Sequence, residues 1–530
     1  MVDQGQCIHY SGHLLIQWRT MKTKTSPVIC WKGYLPGLCA LLAMSLGLNV
    51  WNNNFHFGFH YVELKKVEFI LRGGQDFKHP LLLLQLPRFF NWFLNWSDPQ
   101  AVAELGRWLS GIAGMGAVLF CWMQFSGESG WKRWLAAAGV AVSPILVIHN
   151  HYLKEDTLFL CFAMASLWAL FAWCEAPGVK RAWCWGVVTG LAVATQYKGV
   201  LLFALYLLLP LLTPLARTRQ FWRHIGLVAL GALAVFAVVN WPIFLHPSVF
   251  VHGVLYETNH IAEGAYDRVP FWSFPGYHLR LSLPSALTLA VLVAGLGFGM
   301  VSLVFWKRLK LCERVWLCYF LLFYFSAELI SAKAFPDAMR YMIPVAPIIV
   351  IWAVEACFAV QGWLRMRPGI GVCLSGVLVL VWPLYRTVVL VNDMNSDPRI
   401  AAMEWLNQHL GPVLFERHAW DRDLGSNCVY SIAERRWGSL RERGIRYVVT
   451  SSLNYGRSLE RAPWRGHSPD MEFNAQRYEI LFQFPFVEFA SRHETFGYVN
   501  PTIRITDLND LPPAGRIPRP RMFDGRHDPD

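Results

Sequence analysis

The sequence contains few charged residues for its length. Asp, Glu, Lys and Arg make up 16% of the 530 residues, against roughly 25% in an average soluble domain. Hydrophobic residues make up 54%, and the mean hydropathy is +0.31. A soluble chain of this length would divide into several domains with polar surfaces, yet polar alternation begins only after about residue 392. The composition therefore excludes a wholly soluble protein and indicates a membrane protein.

Cysteine patterns and the common catalytic motifs are also missing. Nearly all of the twelve cysteines lie in or near apolar runs, Cys428 stands alone in the polar region, and no CxxC pair occurs. The chain therefore has no readable disulfide framework or zinc-finger spacing. It also lacks a P-loop, a dinucleotide-binding fingerprint, a nucleophile elbow and an HExxH sequence, which excludes the enzyme classes that those motifs mark.

The net charge of +12 does not indicate a nucleic-acid partner. From Val391 to the end of the chain there are 18 Arg, no Lys and 19 acidic residues, so this region is nearly neutral. The positive surplus lies in short loops between apolar runs, where the positive-inside rule places it in membrane proteins. We therefore expect membrane lipid around the chain and no nucleic acid.

About eleven apolar runs are each long enough to cross roughly 30 Å of hydrocarbon as a helix. The runs begin near Tyr34, Ala101, Arg133, Thr157, Trp183, Gly199, Ile225, Leu283, Val315, Tyr341 and Ile370. With the amino terminus in the cytoplasm, every inner loop is basic, and the outer loops 53–100 and 246–282 carry acids and histidines. We therefore expect a cytoplasmic segment over residues 1–33 and a transmembrane domain over residues 34–391.

Two outer segments are less regular than the rest. Gln196-Tyr197-Lys198 interrupts the apolar run 183–215, which also fits one long kinked span, and that alternative would reverse every loop downstream. Residues 80–96 are apolar and aromatic but contain Pro87 and Arg88. They predict one or two helices lying along the outer interface of the membrane.

The pattern changes after Asn392. The sequence "DPRIAAMEWLNQHL" predicts an amphipathic helix, and "RYVVTSS" (446–452) and "PTIRITDL" (501–508) predict strands. We expect a small soluble domain over residues 392–510 and a Pro-rich, disordered tail over residues 511–530. The predicted fold class is a polytopic α-helical membrane protein with a small C-terminal α/β extracytoplasmic domain.

The first outer loop holds the acids Glu63 and Asp76 on either side of a glycine pair. Ionisable groups at the ends of membrane helices are costly, so they tend to face a cavity or one another. A helix that folds back at Gly73-Gly74 would direct both carboxylates into one cleft. The neighbouring residues Lys65, Lys66 and Glu68 are expected to form the solvated face of an interfacial helix.

The loop 252–280 combines acids, histidines and many aromatic residues. His260 and Glu263 are spaced i, i+3 but supply only two ligands, so no zinc site is predicted. Tyr and Trp faces suit sugar rings, and we expect this loop to line a pocket. A structural lid that makes no contact with substrate is the alternative.

Several short motifs together resemble the GT-C glycosyltransferases, in the branch of the protein O-mannosyltransferases and the bacterial lipid A aminoarabinose transferases. The resemblance covers roughly residues 34–360. Its motifs are Asp76-x-x-His79-Pro80-Leu81, His151-Tyr152-x-Lys154-Glu155-Asp156, Gln196-Tyr197-Lys198-Gly199 and Arg340-Tyr341-x-x-Pro344.

The resemblance implies transfer of a sugar from a polyprenyl-phosphate-linked donor to an acceptor, which is a glycan, lipid or protein, on the extracytoplasmic side. Such a reaction needs a base on the acceptor hydroxyl and positive charge on the departing phosphate. The implied catalytic residues are Glu63, Asp76, Glu155 and Asp156. The implied substrate-binding residues are His60, His79, His151, Tyr197, Lys198, His260, Glu263, Lys333, Arg340 and Tyr341.

The residue types leave the cofactor open. No metal ligands are assigned, although the adjacent carboxylates of Glu155 and Asp156 would suit Mg²⁺ or Mn²⁺. The family branch implies a bacterial inner membrane, with the C-terminal domain in the periplasm.

One position departs from the family pattern. The family's usual catalytic base is an Asp at the first place of the acidic pair, and Val62 stands there in this chain. We expect Glu63 to take over the role. The alternatives are that another acid serves or that the chain is an inactive scaffold. A flippase for lipid-linked sugars is a further alternative, but the charges cluster at outer span ends and no internal repeat is evident.

Overall fold

The computed structural model describes most of the membrane region and parts of the C-terminal region. The described residues are 31–125, 130–263, 276–330, 337–420, 428–429, 440, 442–459, 469–483, 485–493 and 500–510. Most of the predicted cytoplasmic segment and all of the predicted disordered tail lie outside these ranges.

Helices form nearly all of the membrane region, as its long apolar runs predict. The first nine are α1 (Trp31–Val50), α2 (Tyr61–Arg72), α3 (Leu82–Leu94), α4 (Pro99–Met123), α5 (Gly130–Ala141), α6 (Pro144–Asn150), α7 (Glu155–Glu175), α8 (Val179–Thr195) and α9 (Leu201–Leu212). They are followed by α10 (Arg219–Val239), α11 (Pro247–Glu263), α12 (Leu283–Ala286), α13 (Leu289–Val304), α14 (Leu311–Leu329), α15 (Ala346–Trp363), α16 (Pro368–Gly376) and α17 (Trp382–Asp393).

The predicted number of eleven spans is not confirmed. Within the described residues, six helical segments are long and apolar enough to cross a membrane, or seven when the bent pair α5 and α6 counts as one span. The six are Gly33–Val50, Pro99–Met123, Glu155–Glu175, Arg219–Val239, Ala346–Trp363 and Gly369–Gln408. The predicted spans near Trp183 and Val315 correspond to α8 and α14. With 17 residues α8 is short, and α14 carries Glu313, Arg314 and Glu328.

Small residues allow α8 and α10 to pack with their backbones in contact. A Cβ atom on Gly186 would lie 2.7 Å from the carbonyl oxygen of Val228, and one on Gly190 would lie 2.7 Å from the Cα of Ala232. Close backbone approach through small residues is typical of helix pairs in membranes. This packing fixes the carboxyl end of α8, where the chain turns at Gln196.

The first outer loop forms two helices, α2 and α3. Gly73 ends α2 in the left-handed region (φ 76°), a conformation that glycine adopts without strain. A helix is present within residues 80–96 as α3, which exposes Phe89, Trp92 and Phe93; its position at the membrane interface stays a prediction.

Among the described residues of the C-terminal region are a five-stranded sheet and three helices, α18 (Pro398–Gln408), α19 (Ser452–Leu459) and α20 (Pro469–Leu481). Its strands are β1 (Val413–Glu416), β2 (Cys428–Val429), β3 (Tyr447–Ser451), β4 (Phe486–Phe489) and β5 (Ile503–Asp507), in the order β2-β1-β3-β5-β4. The strand β1 is parallel to β2 and β3, whereas β5 is antiparallel to β3 and β4. The predicted amphipathic helix and both predicted strands are present as α18, β3 and β5.

Both faces of the sheet are covered, which explains why β3 is buried at all five positions. Val448 packs with Tyr455 and Tyr478 from α19 and α20, while Tyr447 and Val449 pack on the opposite face, against α18. Side chains alternate between the two faces of a strand, so every position of β3 faces packed residues, including the polar Thr450 and Ser451.

The C-terminal region is attached to the first outer loop by polar contacts. Arg399 forms a buried ion pair with Asp397 and donates from Nη1 to the carbonyl oxygen of Phe59 at 2.9 Å. The Asn395 amide donates to the side chain of Asn52 at 3.0 Å. The segment directly before α2 is therefore held by the C-terminal region.

We expect Arg399→Leu to lower the thermal stability of the purified protein strongly. The substitution leaves the Asp397 carboxylate buried without its cation, which costs about 3–5 kcal/mol for a buried pair. The matched control is Arg72→Gln, which breaks the exposed Arg72–Glu68 pair, and such helical pairs contribute about 0.3–0.5 kcal/mol. Equal melting temperatures for the two variants would contradict this account.

Candidate active site

Two adjacent acids, Glu155 and Asp156, open α7 and are almost completely buried. Carboxylates are favoured in the first turn of a helix, because the unpaired backbone N–H groups there carry partial positive charge. Burial of two neighbouring negative charges still requires cations nearby. The structure supplies one to each acid, and each cation comes from a different part of the chain.

Lys66 of α2 neutralises Glu155. Its Nζ lies 2.6 Å from Glu155 Oε1 and donates to the carbonyl oxygen of Leu153 at 3.2 Å. The prediction of a solvated Lys66 is wrong, since its side chain is 8% exposed, whereas its neighbours Lys65 and Glu68 are exposed as predicted. The burial of Lys66 could have been recognised from the sequence. Lys66 follows Glu63 at an i, i+3 spacing, which puts both side chains on one face of α2.

Lys198 and Gln196 contact Asp156 from the break between α8 and α9. The Lys198 ammonium lies 3.4 Å from Asp156 Oδ1, and the Gln196 amide donates to the same oxygen at 2.9 Å. Asp156 Oδ2 accepts no hydrogen bond from any residue that the structure describes. Asp156 Oδ1 is therefore occupied, and Oδ2 is buried and unpaired among the described residues. We call Oδ2 the open oxygen of Asp156.

Two more of the predicted residues are electrostatic neighbours of these acids. Arg340 lies in the 3₁₀ turn Asp337–Met342. Its positive charge stabilises the Asp156 carboxylate and repels the Lys198 ammonium. His79 acts on Glu155. Residues far apart in the sequence thus form one group, which we call the acid–cation cluster: Lys66, His79, Glu155, Asp156, Gln196, Lys198 and Arg340.

The remainder of the first outer loop borders this cluster. The Tyr197 hydroxyl donates to the carbonyl oxygen of Phe77 at 2.9 Å, which ties the Gln196 break to the loop after α2. Asp76 Oδ2 lies 2.6 Å from Lys65 Nζ, and the Asp76 side chain is 30% exposed. Asp76 is thus partly exposed and is already paired with a surface lysine.

Glu63 forms a buried ion pair with Arg107. Arg107 of α4 donates from Nη2 to Oε2 at 2.6 Å and from Nε to Oε1 at 3.2 Å. The backbone N–H of Leu153 donates to Oε1 at 2.7 Å, and both charged side chains are fully buried. Glu63 and Asp76 therefore have different partners, and both Glu63 oxygens are occupied. Arg107 was not among the predicted residues, although a charge within an apolar span signals such a pair.

The other predicted residues have separate contacts or lie outside the described side chains. The His60 ring packs against Tyr152 at 4.5 Å between centroids. The His151 ring nitrogens lie 2.7 Å and 2.9 Å from the carbonyl oxygens of Val147 and Trp51. The Tyr341 ring faces Arg340 and the His278 ring. Lys333 lies outside the described residues, and the side chains of His260 and Glu263 are not described.

The cluster fits a divalent cation poorly. Within the part of the chain that the structure describes, no group of three or more His, Cys, Asp or Glu side chains could hold a metal ion. Lys66 lies on one oxygen of Glu155, and Lys198 and Gln196 lie on one oxygen of Asp156. A divalent cation at these two oxygens would have to displace the two ammonium groups and the Gln196 amide.

Comparison with known proteins identifies the fold. No protein-family profile matches the chain, and no curated protein is similar in sequence. The apo oligosaccharyltransferase of Archaeoglobus fulgidus is similar in structure, with a TM-score of 0.52 at 14% identity over 89% of this chain and 75% of that chain. Apo ArnT from Cupriavidus metallidurans gives 0.52 at 12% identity over 91% of this chain and 99% of that chain.

A third similar structure is ArnT from Cupriavidus metallidurans bound to undecaprenyl phosphate. Its TM-score is 0.50 at 13% identity, over 89% of this chain and 98% of that chain. At these identities the likeness concerns the fold, and the chain has the GT-C fold. The predicted resemblance in fold is confirmed.

Glu63 and Arg107 are expected to behave as a coupled structural pair. Arg107→Met leaves a buried carboxylate without its cation and should destabilise the protein by about 3–5 kcal/mol. The double variant Glu63→Leu/Arg107→Met removes both charges and should be more stable than the single variant Arg107→Met. Thermal unfolding of Glu63→Leu, Arg107→Met and the double variant in detergent measures this non-additivity. A loss of stability in the double variant equal to the sum of the two single losses would contradict the pairing.

Proposed function

We propose that this chain is a multi-pass membrane glycosyltransferase that uses a polyprenyl-phosphate-linked sugar as its donor. The observation that carries the proposal is the acid–cation cluster, in which Asp156 keeps an open oxygen beside Lys198 and Arg340. The GT-C fold supports it. The acceptor is a glycan, lipid or protein on the extracytoplasmic side.

The cluster divides into two chemical parts. Lys198 and Arg340 would hold the donor phosphate, the ammonium as a point charge and the guanidinium as a planar fork. Lys198 makes only a 3.4 Å contact with Asp156, and its side chain is 27% exposed. It is therefore able to turn towards a phosphate, and this movement would release Asp156.

Asp156 is the base in this proposal. Its open Oδ2 accepts the proton of the acceptor hydroxyl while that oxygen bonds to the anomeric carbon. The bond from the anomeric carbon to the phosphate oxygen breaks, and polyprenyl phosphate leaves with its charge balanced by Lys198 and Arg340. Glu155, held by Lys66, and Asp76, held by Lys65, would shape and orient the acceptor side.

Glu63 is assigned a positioning role instead of the base that Val62 cannot supply. Its bond to the Leu153 N–H and its pair with Arg107 connect α2, α4 and the segment directly before Glu155. An inactive scaffold is the second candidate, favoured by Val62 and by the occupied oxygens of Glu63. We place the protein in a bacterial inner membrane, with the C-terminal domain, residues 392–510, in the periplasm.

The direct test incubates purified protein with a panel of polyprenyl-phosphate sugars and measures transfer or donor hydrolysis. We expect wild-type turnover, and a loss of about 10²- to 10⁴-fold in Asp156→Asn, because a general base contributes about this much. The matched control is Glu68→Gln, which removes an exposed acid of α2 and should leave turnover unchanged. A folded wild type without turnover of any donor would favour the scaffold or a flippase. Full activity in Asp156→Asn would exclude this base.

A further inference from the structure

Gln196 occupies a constrained position between two helices. It follows the last residue of α8 in an extended conformation (φ −146°, ψ 138°), and its carbonyl oxygen accepts from the Gly199 N–H at 2.9 Å. A Cβ atom on Gly199 would lie 2.8 Å from the Val193 Cα, so the chain passes close to its own helix here. This tight turn directs the Gln196 side chain at the amino end of α7.

The contact with Asp156 determines which way the Gln196 amide faces. The amide nitrogen donates to Asp156 Oδ1 at 2.9 Å. The flipped amide would place two oxygens against each other, and amide orientation is assigned from such networks. Gln196 Oε1 consequently points away from this hydrogen bond.

Two buried oxygens in this part of the structure have no donor. Gln196 Oε1 and Asp156 Oδ2 accept no hydrogen bond from the residues that the structure describes, although the two residues are 9% and 3% exposed. Buried acceptors without a partner cost free energy and call for a functional explanation. A ligand that carries O–H or N–H groups would satisfy both.

The chemistry of the missing donor follows from this arrangement. A phosphate offers acceptors and fits Lys198 and Arg340, whereas these two oxygens require donors. Sugar hydroxyls are such donors. The two unpaired oxygens of Asp156 and Gln196 therefore suit the hydroxyl-bearing part of a phosphosugar.

We propose that Gln196 Oε1 accepts a hydrogen bond from one hydroxyl of the transferred sugar and so makes the enzyme selective for donors that carry this hydroxyl. The inference rests on the proposed function and adds a residue that recognises the sugar. A site built to pair with a hydroxyl rejects the analogue that lacks it, because the protein oxygen is then left unpaired. For one neutral hydrogen bond this amounts to about 10- to 100-fold in kcat/KM.

The experiment compares the wild type with Gln196→Met on a parent donor and on its monodeoxy analogues, one for each hydroxyl. We expect the wild type to lose about 10- to 100-fold on one analogue. Gln196→Met should turn over that analogue and the parent equally, and it should keep the wild-type ratios for the other analogues. The control is Gln361→Met at the far end of α15, whose discrimination should match the wild type.

Three results would overturn the inference. In Gln196→Met, an equal loss on every donor would show that Gln196 only positions Asp156 or holds a water molecule. A wild type that turns over all analogues as fast as the parent would exclude recognition through Gln196, whether or not the variant folds. Failure of the wild type on the parent donor would overturn the proposed function itself, and this inference with it.

Discussion

The structure depends on the neutralisation of two adjacent carboxylates buried at the start of a membrane helix. Glu155 and Asp156 are stable there because Lys66 and Lys198 reach them from segments before and after α7. Each ion pair connects a different part of the chain to α7. Lys66 connects the first outer loop, and Lys198 connects the break between α8 and α9.

A second layer of contacts supports this cluster from behind. The pair of Glu63 and Arg107 holds α2 against α4, and the Leu153 N–H joins the segment that leads into α7. Arg399 extends the layer to the C-terminal region through the Phe59 carbonyl. The C-terminal region is therefore linked to the cluster through the segment that precedes α2.

Much of the helical architecture could be predicted from the sequence. Apolar runs and loop charge are local signals, so α1, α4, α7 and α15 could be recognised with starts a few residues from those observed. The span count was not confirmed, because short or charged helices such as α8 and α14 gain their stability from neighbours. The strands β3 and β5 were recognisable from β-branched runs, while the edge strand β4 has no comparable signal.

At the site, residue types were recognisable and their pairing was not. The acids of "HYLKED" and the cation of "QYKG" were predicted to be functional, and the structure brings Asp156 and Lys198 together. Glu63 was predicted as the base because it lies next to Val62, yet Arg107, 44 residues later, occupies its oxygens. Such partners are set by tertiary packing, which no local pattern contains.

The most direct measurement is a structure of the protein in a lipid nanodisc with polyprenyl phosphate bound. The account predicts phosphate oxygens within hydrogen-bonding distance of Lys198 and Arg340, with Lys198 withdrawn from Asp156 and Glu63 still paired with Arg107. A phosphate bound at the opposite membrane face, or a Lys198–Asp156 pair unchanged beside it, would contradict the account.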